Sequence, residues 1–243
     1  MLNNNKKPKG FVIYQGKSLI DGKSISVVYL PQSLNKKTGN MAQTYIIRSD
    51  IDPRLASKTG EDYSICGSCK HRGSVTTEPD RKQAKGRTCY VNLAQGVLIV
   101  YKQLMKGAYP VVNNHKDIQS LGDNQVVRLG TYGDPSAVPS YIWDSLLSKA
   151  KKHTSYTHQS HNSSCDVRSD ISMMSADSYE ESKKFWSKGL RTFRVMQKDE
   201  VLDKTKEVLC PASKEAGRRA TCETCVLCSG SNLNAKSVAI YQH

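Results

Sequence analysis

No apolar run in the 243-residue sequence approaches the ~20 residues needed to span a bilayer, and the opening MLNNNKKPKG lacks the apolar stretch of a secretory signal. Both absences predict a cytoplasmic protein with no membrane partner. There is also no P-loop, no G-x-S-x-G and no H-E-x-x-H, so the local signatures of phosphate-loop NTPases, α/β hydrolases and zinc proteases are missing. Acidic residues are scarce. Asp and Glu number 22 against 36 Lys and Arg, a formal charge of +14 with a pI of about 9.4. A domain that basic implies a polyanionic partner, nucleic acid foremost. With 37% hydrophobic and 24% charged residues, the composition is that of a folded chain long enough to bury a real core.

Against these absences stand eight cysteines. In a reducing compartment, thiols at two-residue intervals bind metal more often than they pair as disulfides. The stronger group is Cys210, followed after eleven residues by Cys222-Glu-Thr-Cys225-Val-Leu-Cys228. Two successive C-x-x-C steps turn three sulfurs toward one centre, and Cys210 completes a tetrahedral zinc site or a 4Fe–4S cluster. Spacing alone does not choose the metal. The weaker group is Cys66-Gly-Ser-Cys69 and, nineteen residues on, Cys89. Gly67 suits a tight turn there. Three thiolates leave a fourth position for an exogenous ligand, for His71 or for Cys165. Buried unligated thiols or a redox C-x-x-C dithiol are the simpler alternatives. Two four-thiolate zinc sites would carry about −2 each and leave a net charge near +10, so the chain stays basic with metal bound. His153, His158 and His161 match no histidine metal spacing and are expected as solvated side chains at a strand end.

Residues 1–10 read as a basic flexible tail and 11–243 as a single α/β metal-binding domain, with cysteine loops at about 50–90 and 210–230. Strands are expected at 11–14, 24–30 and 41–47, an N-terminal β hairpin or meander. Residues 50–90 show no periodicity and read as loop. Apolar residues recur at helical spacing over 91–105, with Gly107 as the stop signal. A strand–helix rhythm follows: strand 126–130, helix 139–152, strands 153–158 and 171–174, helix 179–188 with Ser178 as its N-cap, and strands 190–196 and 237–241. Such alternation implies a mainly parallel sheet with ligands at the carboxyl ends of its strands.

The strand closed by Tyr132-Gly133-Asp134-Pro135, set downstream of Cys66, Cys69 and Cys89, resembles the radical S-adenosylmethionine (radical SAM) barrel. In that superfamily a cysteine loop after the first strand holds a 4Fe–4S cluster, and a Gly-Gly-Glu-Pro-like segment after the second meets the amino group of S-adenosylmethionine. The resemblance implies an incomplete or modified (β/α) barrel-like parallel sheet, with Gly133, Asp134 and Pro135 as cofactor-binding residues. The family keeps its cysteines as C-x-x-x-C-x-x-C, whereas here the third lies nineteen residues on. RLGTYGDPSAVP, CPASKEAG and TCETCVLC also resemble stretches of uncharacterised phage and plasmid proteins distantly related to this barrel, which implies the cytoplasm of a bacterial host. Basic residues gather at Lys36-Lys37, at Arg81, Lys82, Lys85 and Arg87, at Lys149, Lys151 and Lys152, and at Arg218-Arg219 inside the second cysteine loop. Around a metal-pinned loop they would form a rigid phosphate-contacting surface, with dispersed solvated charge as the alternative. Two functions are expected from these features. One is an iron–sulfur protein, enzymatic if radical SAM-like, acting on or with nucleic acid. The other is a non-catalytic zinc-binding, nucleic-acid-binding or replication-associated module.

Overall fold

In a computed structural model, which describes residues 8–242, three β-branched and aromatic segments open the chain. Strands β1 (Phe11–Lys17), β2 (Ser24–Leu30) and β3 (Ala42–Arg48) form an antiparallel meander. β4 (Val126–Tyr132) then lies parallel to β3, and β5 (Lys152–Thr154) parallel to β4. The long β3–β4 crossover carries α1 (Pro53–Thr59), α2 (Tyr63–Cys66), α3 (Leu98–Met105) and α4 (His115–Gly122), and α5 (Ser140–Leu147) joins β4 to β5. Residues 1–7, most of the expected tail, lie outside the described residues; Gly10 is already buried.

A single residue, Ser155, separates β5 from β6 (Tyr156–Thr157), the first strand of a second sheet. That sheet is wholly parallel and runs in the order β6-β7-β8-β10-β9, with β7 (Met173–Ala176), β8 (Thr192–Met196), β9 (Glu207–Leu209) and β10 (Ser237–Tyr241). Helix α6 (Tyr179–Trp186), capped by Ser178, crosses from β7 to β8. Because β5 runs on into β6, the parallel strands of both sheets deliver their carboxyl ends to the same side. The fold is α/β, as expected. Among the described residues no pairing joins β1 to β9, so the expected barrel-like arrangement is two adjoining open sheets without closure.

The larger core lies against the first sheet and is anchored by Trp143, whose Nε1 donates to the Pro135 carbonyl at 2.9 Å. That bond ties α5 to the turn after β4. On the second sheet, side chains alternate between two faces. Met174, Ala176 and Phe185 pack on the α6 side. Met173, Val195, Val238 and Ile240 face the other way and pack with Cys210, Ala212 and Cys228. A fully buried ion pair joins β8 to β9, with Arg194 Nη2 2.7 Å from Glu207 Oε2 and both side chains at 0% exposure.

Several local expectations are corrected. Residues 50–90 hold α1, α2 and a 3₁₀ turn at Lys70–Arg72, elements too short for a periodic pattern to show. Asp52 caps α1 with Pro53 in its first turn. The 91–105 segment opens with a π-type turn at Leu93–Val97, kinked at Gln95, before α3. The helix expected over 139–152 stops at Leu147, freeing Lys152 to start β5, and the 153–158 strand breaks at Ser155. Helix α4, capped by Asn114, and the three-residue β9 gave no strong apolar pattern and were not expected.

Replacing Arg194 by Met leaves the Glu207 carboxylate buried without its partner. The expected loss is about 3–5 kcal/mol of folding stability, read by denaturant titration. A loss below about 1 kcal/mol would contradict the pairing.

Candidate functional site

The C-terminal cysteines are positioned by a short helix. Thr221 and Thr224 form a reciprocal capping box that starts α7 (Cys222–Cys225), and the i, i+3 spacing sets Cys222 and Cys225 on one side of that turn. Val226 then takes a left-handed conformation, φ +45°, a rare state for a β-branched residue that must be held by its surroundings. The reversal sends Cys228 back under the sheet, where its carbonyl accepts from Ser155 N at 2.8 Å. Cys210 leaves β9 and hydrogen-bonds through its amide to Ala239 O at 2.8 Å. On the far side, the β2–β3 connection grips α7 through Cys222 N to Lys37 O and Glu223 N to Thr38 O.

Cys210, Cys222, Cys225 and Cys228 therefore line one cavity of about 20 Å³, walled by Thr154, Tyr156 and Val238. Burial pushes the Cys228 thiol up to about 12 and also raises Cys210. Arg128, on β4 beside Thr154, directs its charge at Tyr156, Cys222 and Cys228. Its Nε is buried with no hydrogen-bond partner, as is Thr154 Oγ1. A guanidinium directed at two cysteine sulfurs and two tyrosines, with no hydrogen bond at its Nε, fits an anionic metal–thiolate centre, which Cys₄ ligation of zinc or of a 4Fe–4S cluster would supply. Arg191, 7% exposed, clamps the following segment by donating to the carbonyls of Leu227, Gly230, Ala235 and Lys236 at 2.7–2.8 Å. Nothing in the sequence distinguished Arg128 or Arg191 from the surface cations.

Cys66, Cys69 and Cys89 lie where the β3–β4 crossover meets the ends of β4, β6 and β7. Helix α2 ends at Cys66, and Gly67 turns the chain with φ +51°. A Cβ at Gly67 would collide with Gln159, whose Nε2 donates to Cys66 O at 3.0 Å. The tight turn expected at Gly67 is thus present. Cys89 is carried back across its nineteen-residue excursion by its amide, which donates to His71 O at 3.1 Å. Cys66 feels the charge of both Cys69 and Cys89, and burial raises it well above the usual thiol range; Cys89 is raised by burial too. Cys165 stands near Asp134 instead. Across both groups, among the described residues, no three cysteine sulfurs lie mutually within 4.8 Å.

Gly133, Asp134 and Pro135 do follow β4. A Cβ at Gly133 would lie 2.7 Å from Ile46 Cβ, so this residue packs directly on β3. The Asp134 carboxylate is engaged by protein donors. Oδ1 caps the next 3₁₀ turn through Ser136 N, and Oδ2 accepts from His158 N at 2.8 Å and Gln159 Nε2 at 3.2 Å. At 7% exposure, Asp134 serves as a strut for the 158–159 segment. The solvated-histidine expectation is corrected at His158, whose side chain is enclosed and lies 3.4 Å from Asp177 Oδ1. Burial lowers its basicity, but hydrogen bonds to Asp177 and Cys69 outweigh this and lift it to about 10. His153 is also largely enclosed, with Nε2 2.9 Å from Ile171 O. Sequence spacing missed His158 because its partners lie on other elements.

No protein-family model, no curated protein and no solved structure matches the chain. No helix among the described residues is long and apolar enough to cross a membrane.

Replacing Gly67 by Ala forces a side chain into the left-handed region and against Gln159. Cys66 and Cys69 of the metal-free reduced chain are expected to react faster with a thiol reagent, and stability to fall by about 1–2 kcal/mol. Unchanged reactivity would show that the turn does not hold these thiols.

Proposed function

We propose that this chain is an iron–sulfur protein of radical SAM-like ancestry that acts on or with nucleic acid. The observation that carries the proposal is the cavity shared by Cys210, Cys222, Cys225 and Cys228, faced by the unpartnered Arg128 Nε. Zinc bonds to sulfur at about 2.3 Å, which places the corners of a zinc tetrahedron about 3.8 Å apart. No three cysteine sulfurs of the described residues gather within 4.8 Å, so the sulfur spacing does not choose the metal, and the preference for iron rests on the resemblance. The order of parts also agrees with the resemblance. Cys66, Cys69 and Cys89 follow β3, the first parallel strand, and Gly133-Asp134-Pro135 follow β4, the second.

Clusters at these positions would supply one-electron chemistry. The protein's own part is to hold the thiols in sterically fixed positions and to balance the charge of Cys222 and Cys228 with Arg128. S-adenosylmethionine enters only through the resemblance at Gly133-Asp134-Pro135. The engagement of Asp134 with protein donors leaves the metal centres, not that cofactor, as the ground of the proposal. The nucleic-acid part rests on the +14 charge and on the surroundings of the second centre. Lys36, Lys37, Lys214, Arg218 and Arg219 are exposed there, and Lys37 Nζ lies 5.6 Å from the ring centroid of Tyr90. Basic and aromatic groups together suit a phosphate backbone and its bases.

Anaerobically purified protein is expected to be brown and to contain iron with acid-labile sulfide. Colourless protein with stoichiometric zinc would replace this proposal with the zinc-binding module. Cys225→Ser is expected to lower the melting temperature sharply, because metal binding here is also folding energy; an unchanged melting temperature would contradict the centre. Binding to DNA or RNA is expected to weaken steeply between low and moderate salt. Salt-independent binding, or none, would remove the nucleic-acid part.

A further inference from the structure

Beside the Cys66 group lies a second cluster of metal-ligating side chains. His71, His158 and Asp177 each offer one ligand atom, and the three atoms lie within 4.8 Å of one another. Their elements are unrelated in sequence. His71 comes from the 3₁₀ turn after Cys69, His158 follows β6, and Asp177 follows β7. Asp177 Oδ1 is 3.2 Å from His71 Nε2 and 3.4 Å from His158 Nε2.

The state of His71 is the informative detail. Its residue is 7% exposed, and its Nδ1 pairs with Thr88 Oγ1 at 2.8 Å. Its Nε2 is buried without a hydrogen-bond partner, although the Asp177 carboxylate is so near. The contact falls outside hydrogen-bond geometry, which leaves an imidazole nitrogen beside a carboxylate without a bond to it. Buried polar atoms are rarely left in that state. A cation satisfies both at once. The surrounding bonds are those of metal-binding histidines, which fix the ring through the nitrogen that does not ligate. His71 is fixed by Thr88, and His158 is held by its amide bond to Asp134 and its hydrogen bond to Cys69. Lys70 Nζ donates to the Asp177 carbonyl at 2.8 Å and stays 3.9 Å from Oδ1, so it steadies the segment without replacing a central ion.

We propose that His71, His158 and Asp177 form a mononuclear site for a divalent first-row transition-metal ion, separate from the sulfur-ligated centres. Two imidazoles and one carboxylate leave coordination positions open, the arrangement of a metal that binds an exogenous ligand. Its place at the carboxyl ends of β6 and β7 is where parallel sheets receive ligands.

The test uses the full chain with its sulfur-bound metal in place, dialysed against Co²⁺. The expected result is one further equivalent of cobalt with a ligand-field spectrum free of thiolate charge transfer. Asp177→Asn and His71→Gln are expected to lose that equivalent while keeping the wild-type iron, sulfide and melting temperature. Thr88→Val, which keeps all three ligands and removes only the hydrogen bond that fixes His71 Nδ1, guards against loss of fold and is expected to weaken cobalt affinity about 10–100-fold. The site is overturned if the wild type takes up no further cobalt. It is equally overturned if Asp177→Asn binds as much as the wild type, or if the cobalt spectrum shows thiolate charge transfer.

Discussion

A parallel sheet needs both faces covered, and in the second sheet of this protein a helix covers one face and an irregular cysteine-bearing segment the other. Helix α6 brings Phe185 over one side. The other side falls to the irregular 210–228 segment, whose buried contribution is Cys210, Ala212 and Cys228. Burying an aliphatic side chain contributes about 1.5–3 kcal/mol, and few are present here. In the proposed centre, metal–thiolate bonding, worth about 10–16 kcal/mol in small zinc domains, would add to that packing. Arg128 states the same need in charge. A buried guanidinium edge facing sulfur is costly beside neutral thiols and favourable beside an anionic centre.

The first sheet solves its packing conventionally, with aliphatic strands and Trp143 at the centre, and so can leave chemistry to its strand ends. Asp134 links the turn after β4 to the segment after β6, and Gln159 passes that link on to Cys66. Through His158 the same chain of contacts reaches Asp177 after β7. Sulfur, imidazole and carboxylate groups are thereby set on a rigid rim formed by several strands, which is the condition for a site of fixed geometry. The Cys66–Cys89 group and the histidine cluster share this rim, whereas the C-terminal cysteines lie beneath the second sheet.

Much of this was legible in the sequence because it depends on local chemistry. The strands at 24–30 and 237–241 follow from β-branched runs, the start of α6 from Ser178, and the Cys66–Cys69 turn from Gly67. The C-x-x-C spacing places Cys222 and Cys225 on one side of a helical turn, whereas the return of Cys228 to the same cavity depends on the left-handed Val226. What stayed hidden depends on long-range contacts. His158 looks like a surface histidine until Asp134, Asp177 and Cys69 are folded around it. Arg128 and Arg191 look like two more cations in a basic chain until one faces sulfur and the other holds four carbonyls. The short helices of 50–90 were invisible to periodicity because each is at most two turns long, and the absence of barrel closure depends on which edges find partners.

Metal-edge X-ray absorption on the intact, anaerobically prepared protein tests the central claim most directly. The account requires an iron edge whose fine structure has a sulfur shell and, beyond it, a metal–metal shell. A zinc edge with a single sulfur shell, or no metal bound to sulfur at all, would contradict it.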